Sequence, residues 1–154
     1  MNSFDPSIVK VRSAHFIGGR YRDALPGLEV VRPSDGQRYA QLPIADAALV
    51  DEAVENAWQA FRQSDWATRP PRERSRAMRR WADLIEADAA TLAPLEAIGS
   101  TRPHKDVLAW DIPYVAEVLR FFAELADKHG GQVAATQHDR LGMQIAEPYG
   151  VVGA

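Results

Sequence analysis

The rhythm of apolar and polar positions changes several times along this chain. Near the start the apolar residues come in short groups. Ala14–Tyr21 (AHFIGGRY) places Gly18-Gly19 between two of them. Two consecutive glycines tolerate positive φ at both turn positions, which predicts a tight hairpin. Leu28–Arg32 is a second strand by the same logic. Pro33-Ser34-Asp35-Gly36 supplies a turn, and Gln37–Pro43 is expected to return antiparallel to it.

From Asp46 onward the period becomes helical. Asp46 is an N-cap, and Val50, Val54, Ala57 and Phe61 mark one stripe expected to be buried; Ser64-Asp65-Trp66 ends the helix. Pro70 and Pro71 suit the first turn of a second helix, with Met78, Trp81, Ala82 and Ile85 on its apolar face. Asp88 is expected to cap a third helix ending near Ile98–Gly99, kinked or delayed by Pro94. A fourth stretch runs from about His104 to Lys128. It carries Val115, Val118, Leu119, Phe122, Leu125 and Ala126 on one side. Pro113 predicts a kink there with Asp111 as a fresh N-cap, and Gly130-Gly131 ends the helix. Leu141, Met143 and Ile145 then alternate with Gly142, Gln144 and Ala146, as in a half-buried strand. After Pro148, Tyr149–Ala154 starts another apolar strand, uncharged to its last residue, so the sequence looks cut rather than finished.

Composition narrows the function. The 154 residues are 46% hydrophobic and 25% charged, ordinary globular usage, and a chain this long is expected to bury roughly 70% of its unfolded surface. The net charge of −3 argues against a nucleic-acid partner. No segment resembles a targeting signal or a membrane span, so the expected location is the cytoplasm. There is no cysteine, hence no thiol nucleophile and no thiolate metal site. His15, His104, His129 and His138 are scattered without metal-ligand spacing, so no metal is expected. The stretch holding Arg69, Arg72, Arg74, Arg76, Arg79 and Arg80 offers a phosphate-binding reading. It also reads as a solvated face balanced by Glu73, Asp83 and Glu86, with Arg79 and Asp83 four apart, and the acidic whole favours that face.

Several pieces, in order, resemble the N-terminal part of the aldehyde dehydrogenase superfamily. They are Phe16-Ile17-Gly18-Gly19; Val31-Arg32-Pro33-Ser34-Asp35-Gly36; Val50-Asp51-Glu52-Ala53-Val54 with Ala57, Phe61 and Trp66; Arg74 with Trp81–Glu86; Asp111 with Leu119–Ala123 and Ala126-Asp127-Lys128; and Glu147–Gly153. Two departures stand out. Arg32 replaces a common Asn, and Gly99-Ser100-Thr101-Arg102-Pro103 stands where many members carry Asp-x-Gly-Lys-Pro. Some members hold a monovalent cation at that acidic position, which Gly99 cannot do.

The resemblance implies an α/β fold. This segment would be mostly helical, with about four helices, short antiparallel N-terminal strands, one interface-type strand and the first strand of an incomplete Rossmann-like sheet. Residues 1–13 would be a tail. Residues 14–154 would be the N-terminal part of a cofactor-binding domain, with an oligomerisation-arm strand near 139–147. Complete members oxidise an aldehyde to an acid with NAD or NADP as hydride acceptor. They use a thiolate nucleophile, an oxyanion-holding amide and a carboxylate base, and these all follow the Glu-Pro-x-Gly-Val-Val-Gly strand. No catalytic or cofactor-binding residue is therefore expected here, and the isolated chain is expected to be inactive and to bind no cofactor. Alignment on Asp111 implies that Trp110 and Tyr114 line the aldehyde tunnel, although aromatic residues at helical spacing are also ordinary core residues. Leu141, Met143 and Ile145 would serve the subunit interface of a homo-oligomer, or an ordinary local sheet. The competing functional class is a non-catalytic helical module that binds a partner.

Overall fold

The computed structural model describes residues 4–23 and 26–153. Strands β1 (His15–Ile17) and β2 (Arg20–Arg22) form the expected hairpin, with Phe16 opposite Tyr21. Gly18 and Gly19 take φ of 59° and 76°, the left-handed pair that a two-residue hairpin turn needs. Strands β3 (Pro26–Val31) and β4 (Arg38–Pro43) pair antiparallel across the Pro33–Gly36 turn, with Leu28 opposite Leu42. Asp46 caps helix α1 (Ala47–Gln63), its carboxylate accepting the Leu49 N–H at 2.8 Å.

Helices α2 (Pro71–Ala87), α3 (Ala89–Gly99), a short α4 (His104–Asp106) and α5 (Ile112–Glu124) make up the helical body. Helix α5 packs along α2, with the buried alanines Ala82, Ala116 and Ala123 on the two helices. Small side chains let two helices approach closely. Arg120 bridges them, donating to Asp83 at 2.7 Å and to both carboxylate oxygens of Glu86, and Arg79 reaches Glu124 at 2.7 Å. The expected Arg79–Asp83 pairing within α2 is thus replaced by pairing between helices. A second core cluster joins Ala93 of α3 to Val107 and Ile112, with Ile85, Ala89, Leu92 and Ala97 packed against it.

Other expectations are corrected. Asp88 makes no side-chain cap; its backbone carbonyl takes the N–H groups of Thr91 and Leu92 instead, both at 3.0 Å. Helix α3 runs through Pro94, and Ala90, whose carbonyl loses that helical hydrogen bond, is exposed to water. The Val50, Val54, Ala57 and Phe61 stripe is not buried: no residue of α1 is, because the first hairpin and the stretch around Gly150 touch the helix without covering it. On α2, on α5 and just past it, Trp81, Val115, Phe122 and Leu125 also stay exposed, since each helix is covered on one side only. Helix α5 ends at Glu124, and Leu125–Asp127 tighten into a 3-10 turn before Gly130-Gly131.

Strands β5 (Gln132–Ala134) and β6 (Gly142–Gln144) form a third hairpin, with Val133 opposite Met143. Residues 149–153 join no ladder. Among the described residues no neighbouring strand offers them hydrogen bonds, so the expected final strand is absent there. Ala154, the last position of that expectation, lies outside the described residues. Near the other end, Asp5 caps a 3-10 turn over Pro6–Ile8, and the Phe4 ring stacks on His104 at 4.7 Å.

Candidate functional site

The two aromatic candidates lie where the fourth helical stretch changes pitch. Between α4 and α5, Val107–Asp111 form a single π-turn, closed by the Ile112 N–H bonding to the Val107 carbonyl five residues back. Its position has a local cause. Pro113 has no N–H to continue the ladder, so the helix is interrupted at this point in any case. The wider turn also serves the core. Positions five apart in an α-helix lie about 140° apart around the axis. Here both Val107 and Ile112 are buried together beside Ala93.

This arrangement overturns the expected kink with Asp111 as an N-cap. Asp111 has helical φ and ψ of −70° and −46° and makes no capping bond. Its carboxylate instead accepts a two-pronged grip from Arg102, Nε to Oδ2 at 2.9 Å and Nη2 to Oδ1 at 2.7 Å. The same contact raises the Arg102 pKa above its ordinary value, with Asp111 as the leading cause.

Trp110 is 69% exposed and Tyr114 67% exposed. Both side chains lie outside the buried cluster of this chain. They flank Asp111 on consecutive turns and form no ring–ring contact with each other among the described residues.

The third hairpin carries the other candidates. Leu141, Met143 and Ile145 share one side of the ribbon by the period of two, and Val133 stands opposite Met143. All four are exposed by about 70%, so the strand is not half-buried; its apolar side faces water.

The sequence showed Arg32 only as a departure from the family pattern. In the fold it is the buried charged residue of the chain's described part. It contacts Asp35 at 2.8 Å and Gln37 at 2.9 Å, tying the β3–β4 turn together. The Asp35 carboxyl is held below its usual range, first by the Gln37 backbone N–H, with Arg32 contributing. The spacing Arg32, Asp35, Gln37 around a Pro-led turn was the available signal. Arg102 was likewise missed as a partner of Asp111, since nine residues separate them.

The residues present do not build a dinucleotide cradle. Such a site needs a strand of a parallel sheet leading into a free helix N-terminus. Among the described residues all three sheets are two-stranded and antiparallel. Where β4 leads into α1, the Asp46 carboxylate already accepts the Leu49 N–H, and its charge would repel a pyrophosphate. Among the described residues no group of three or more His, Cys, Asp or Glu side chains could hold a metal ion, and no helix is long and apolar enough to cross a membrane.

Residues 21–154 match the aldehyde dehydrogenase family. The chain is 37% identical over 140 residues to the aminoacetaldehyde dehydrogenase of Pseudomonas aeruginosa, covering 90% of this chain and 28% of that protein. It is 35% identical over 141 residues to the NADP/NAD-dependent aldehyde dehydrogenase PuuC of Escherichia coli, again 90% and 28%. Among solved structures, a P. syringae indole-3-acetaldehyde dehydrogenase variant in complex with NAD+ and IAA superposes with a TM-score of 0.77 at 36% identity, over 90% of this chain and 28% of that one. The chain belongs to the aldehyde dehydrogenase family and represents an N-terminal segment of its α/β fold. It spans little more than a quarter of the length of the curated relatives it matches.

Proposed function

We propose that these 154 residues are the N-terminal segment of an NAD(P)-dependent aldehyde dehydrogenase, and that they do not oxidise aldehydes on their own. The observation that carries this reading is the match along 90% of the chain to dehydrogenases more than three times its length, in a chain without cysteine. The family chemistry needs a thiolate to attack the aldehyde carbon. When bound, NAD(P) supplies the hydride acceptor.

The segment's own work is structural and steric. Trp110 and Tyr114 present apolar ring surface to the aldehyde and exclude water from its path. Residues 139–147, with the Leu141, Met143 and Ile145 face, act as an arm that joins subunits of a homo-oligomer. Their exposure of about 70% in the single chain supports both roles. Helices α1, α2 and α5 form an outer shell of the cofactor domain, and their uncovered apolar faces accept the rest of it.

The test has two halves. The purified chain should produce no NADH from aldehydes and show no calorimetric NAD(P) binding; either signal would overturn the inactivity. The chain should also replace the matching segment of the P. aeruginosa aminoacetaldehyde dehydrogenase and yield an active fusion. In that fusion, Trp110→Ala and Tyr114→Ala should change KM and aldehyde preference more than cofactor KM. Unchanged aldehyde kinetics in both variants would remove the tunnel role.

A further inference from the structure

We propose that Arg102 is a positioning residue for Trp110, its fork on Asp111 fixing the π-turn Val107–Asp111 and so the outward presentation of the indole. The inference deepens the tunnel reading above. Three features combine. The Arg102–Asp111 contact is bidentate and anchors the last residue of the π-turn to the Ser100–Pro103 loop. That loop is itself tied, the Arg102 N–H donating to Ser100 Oγ at 3.2 Å. At the other end, Val107 is fully buried against Ala93, so the turn is clamped at both ends and Trp110 projects between the clamps.

A π-turn is easily converted to a regular α-helix by shifting one residue of phase. Each residue turns an α-helix by about 100°, so such a shift would swing Trp110 to another side of the stretch. Holding Asp111 in place prevents the shift. The residue type matters. A lysine ammonium group could not make two parallel bonds to one carboxylate in a fixed plane. The Arg102 fork therefore sets the orientation of the aromatic group beside it.

The test reads orientation directly, without substrate. The full chain is labelled with 5-fluorotryptophan, and the Trp110 fluorine resonance is assigned by its loss in Trp110→Phe. In Arg102→Lys, which keeps the charge and removes the fork, the Trp110 resonance should shift or broaden. The resonances of Trp58, Trp66 and Trp81 should hold. Asp111→Asn should act in the same direction. Amide exchange over residues 107–112 should rise about tenfold in both variants, with the slow amides of α2 unchanged. A Trp110 resonance and local exchange identical to the parent would overturn the proposal. So would all four resonances moving together, or loss of folding in Arg102→Lys, either of which would make Arg102 a general stabiliser. Because no aldehyde is present, these outcomes are separate from the tunnel test in the fusion.

Discussion

Single residues show how much was decided by chemistry close along the chain. Asp46 caps α1, Gly18 and Gly19 turn the first hairpin, and Gly36 closes the second turn with φ of 69°. Each acts within four residues of itself, so its type and spacing suffice. Asp88 and Asp111 carry the same capping signal and do otherwise: Asp88 offers only its backbone carbonyl, and Asp111 is taken by a distant arginine. The most consequential single side chain is Val107, fully buried between α3 and the π-turn. Truncation there removes packing contacts and leaves a void that this small core fills poorly. Val107→Ala should destabilise the chain by about 1–3 kcal/mol, read as a lowered urea midpoint. A loss no larger than that of Val152→Ala, at a position 75% exposed, would show that the site is not tightly packed.

Among the elements, the α2–α5 pair is the most firmly tied. Its seam is alanine, and its flank is the Arg120, Asp83 and Glu86 triad. The hydrogen bond from Arg120 holds the Glu86 pKa below its ordinary value, against smaller opposing effects of desolvation and of Asp83. A carboxyl whose folded pKa is lowered adds stability above its unfolded pKa and loses it as pH falls through the folded value. Asp5, Asp35 and Asp127 are shifted in the same direction. The thermal midpoint should therefore drop on acidification through and below the carboxylate range. Glu86→Gln should start lower at neutral pH and lose less on acidification, as followed by calorimetry. An acid profile identical to the parent would mean that the exposed triad contributes nothing measurable. The periodicity located both helices. It did not show which of their several apolar faces meet, because Trp81, Val115 and Phe122 are as hydrophobic as the residues that ended up inside.

For the molecule as a whole, exposed area is the informative quantity. A folded monomer of 17.0 kDa exposes about 7,700 Å² and its unfolded chain about 25,000 Å². This chain exposes 12257 Å², so folding covers roughly half of the unfolded surface rather than the expected 70%. The surplus is rich in Trp110, Tyr114, Phe121, Phe122, Val133, Leu141, Met143 and Ile145. Apolar patches of this extent drive association. The isolated chain should sediment as concentration-dependent oligomers at micromolar levels, and the joint substitution Leu141→Ser, Met143→Ser and Ile145→Ser should shift it toward smaller species. A monodisperse monomer that unfolds cooperatively at all concentrations would refute this.

The sequence by itself located the two N-terminal hairpins, the main helices, the side-chain cap at Asp46 and the family. All of these rest on contacts between near neighbours or on residue order. Tertiary structure decided the rest, because it depends on which surfaces meet. It placed Val107 and Ile112 on one side through a π-turn, joined Arg102 to Asp111, buried Arg32 under its own turn and left Trp110 and Tyr114 in water. A hydrophobic period states that a face wants covering; only the packing of other elements settles whether anything covers it.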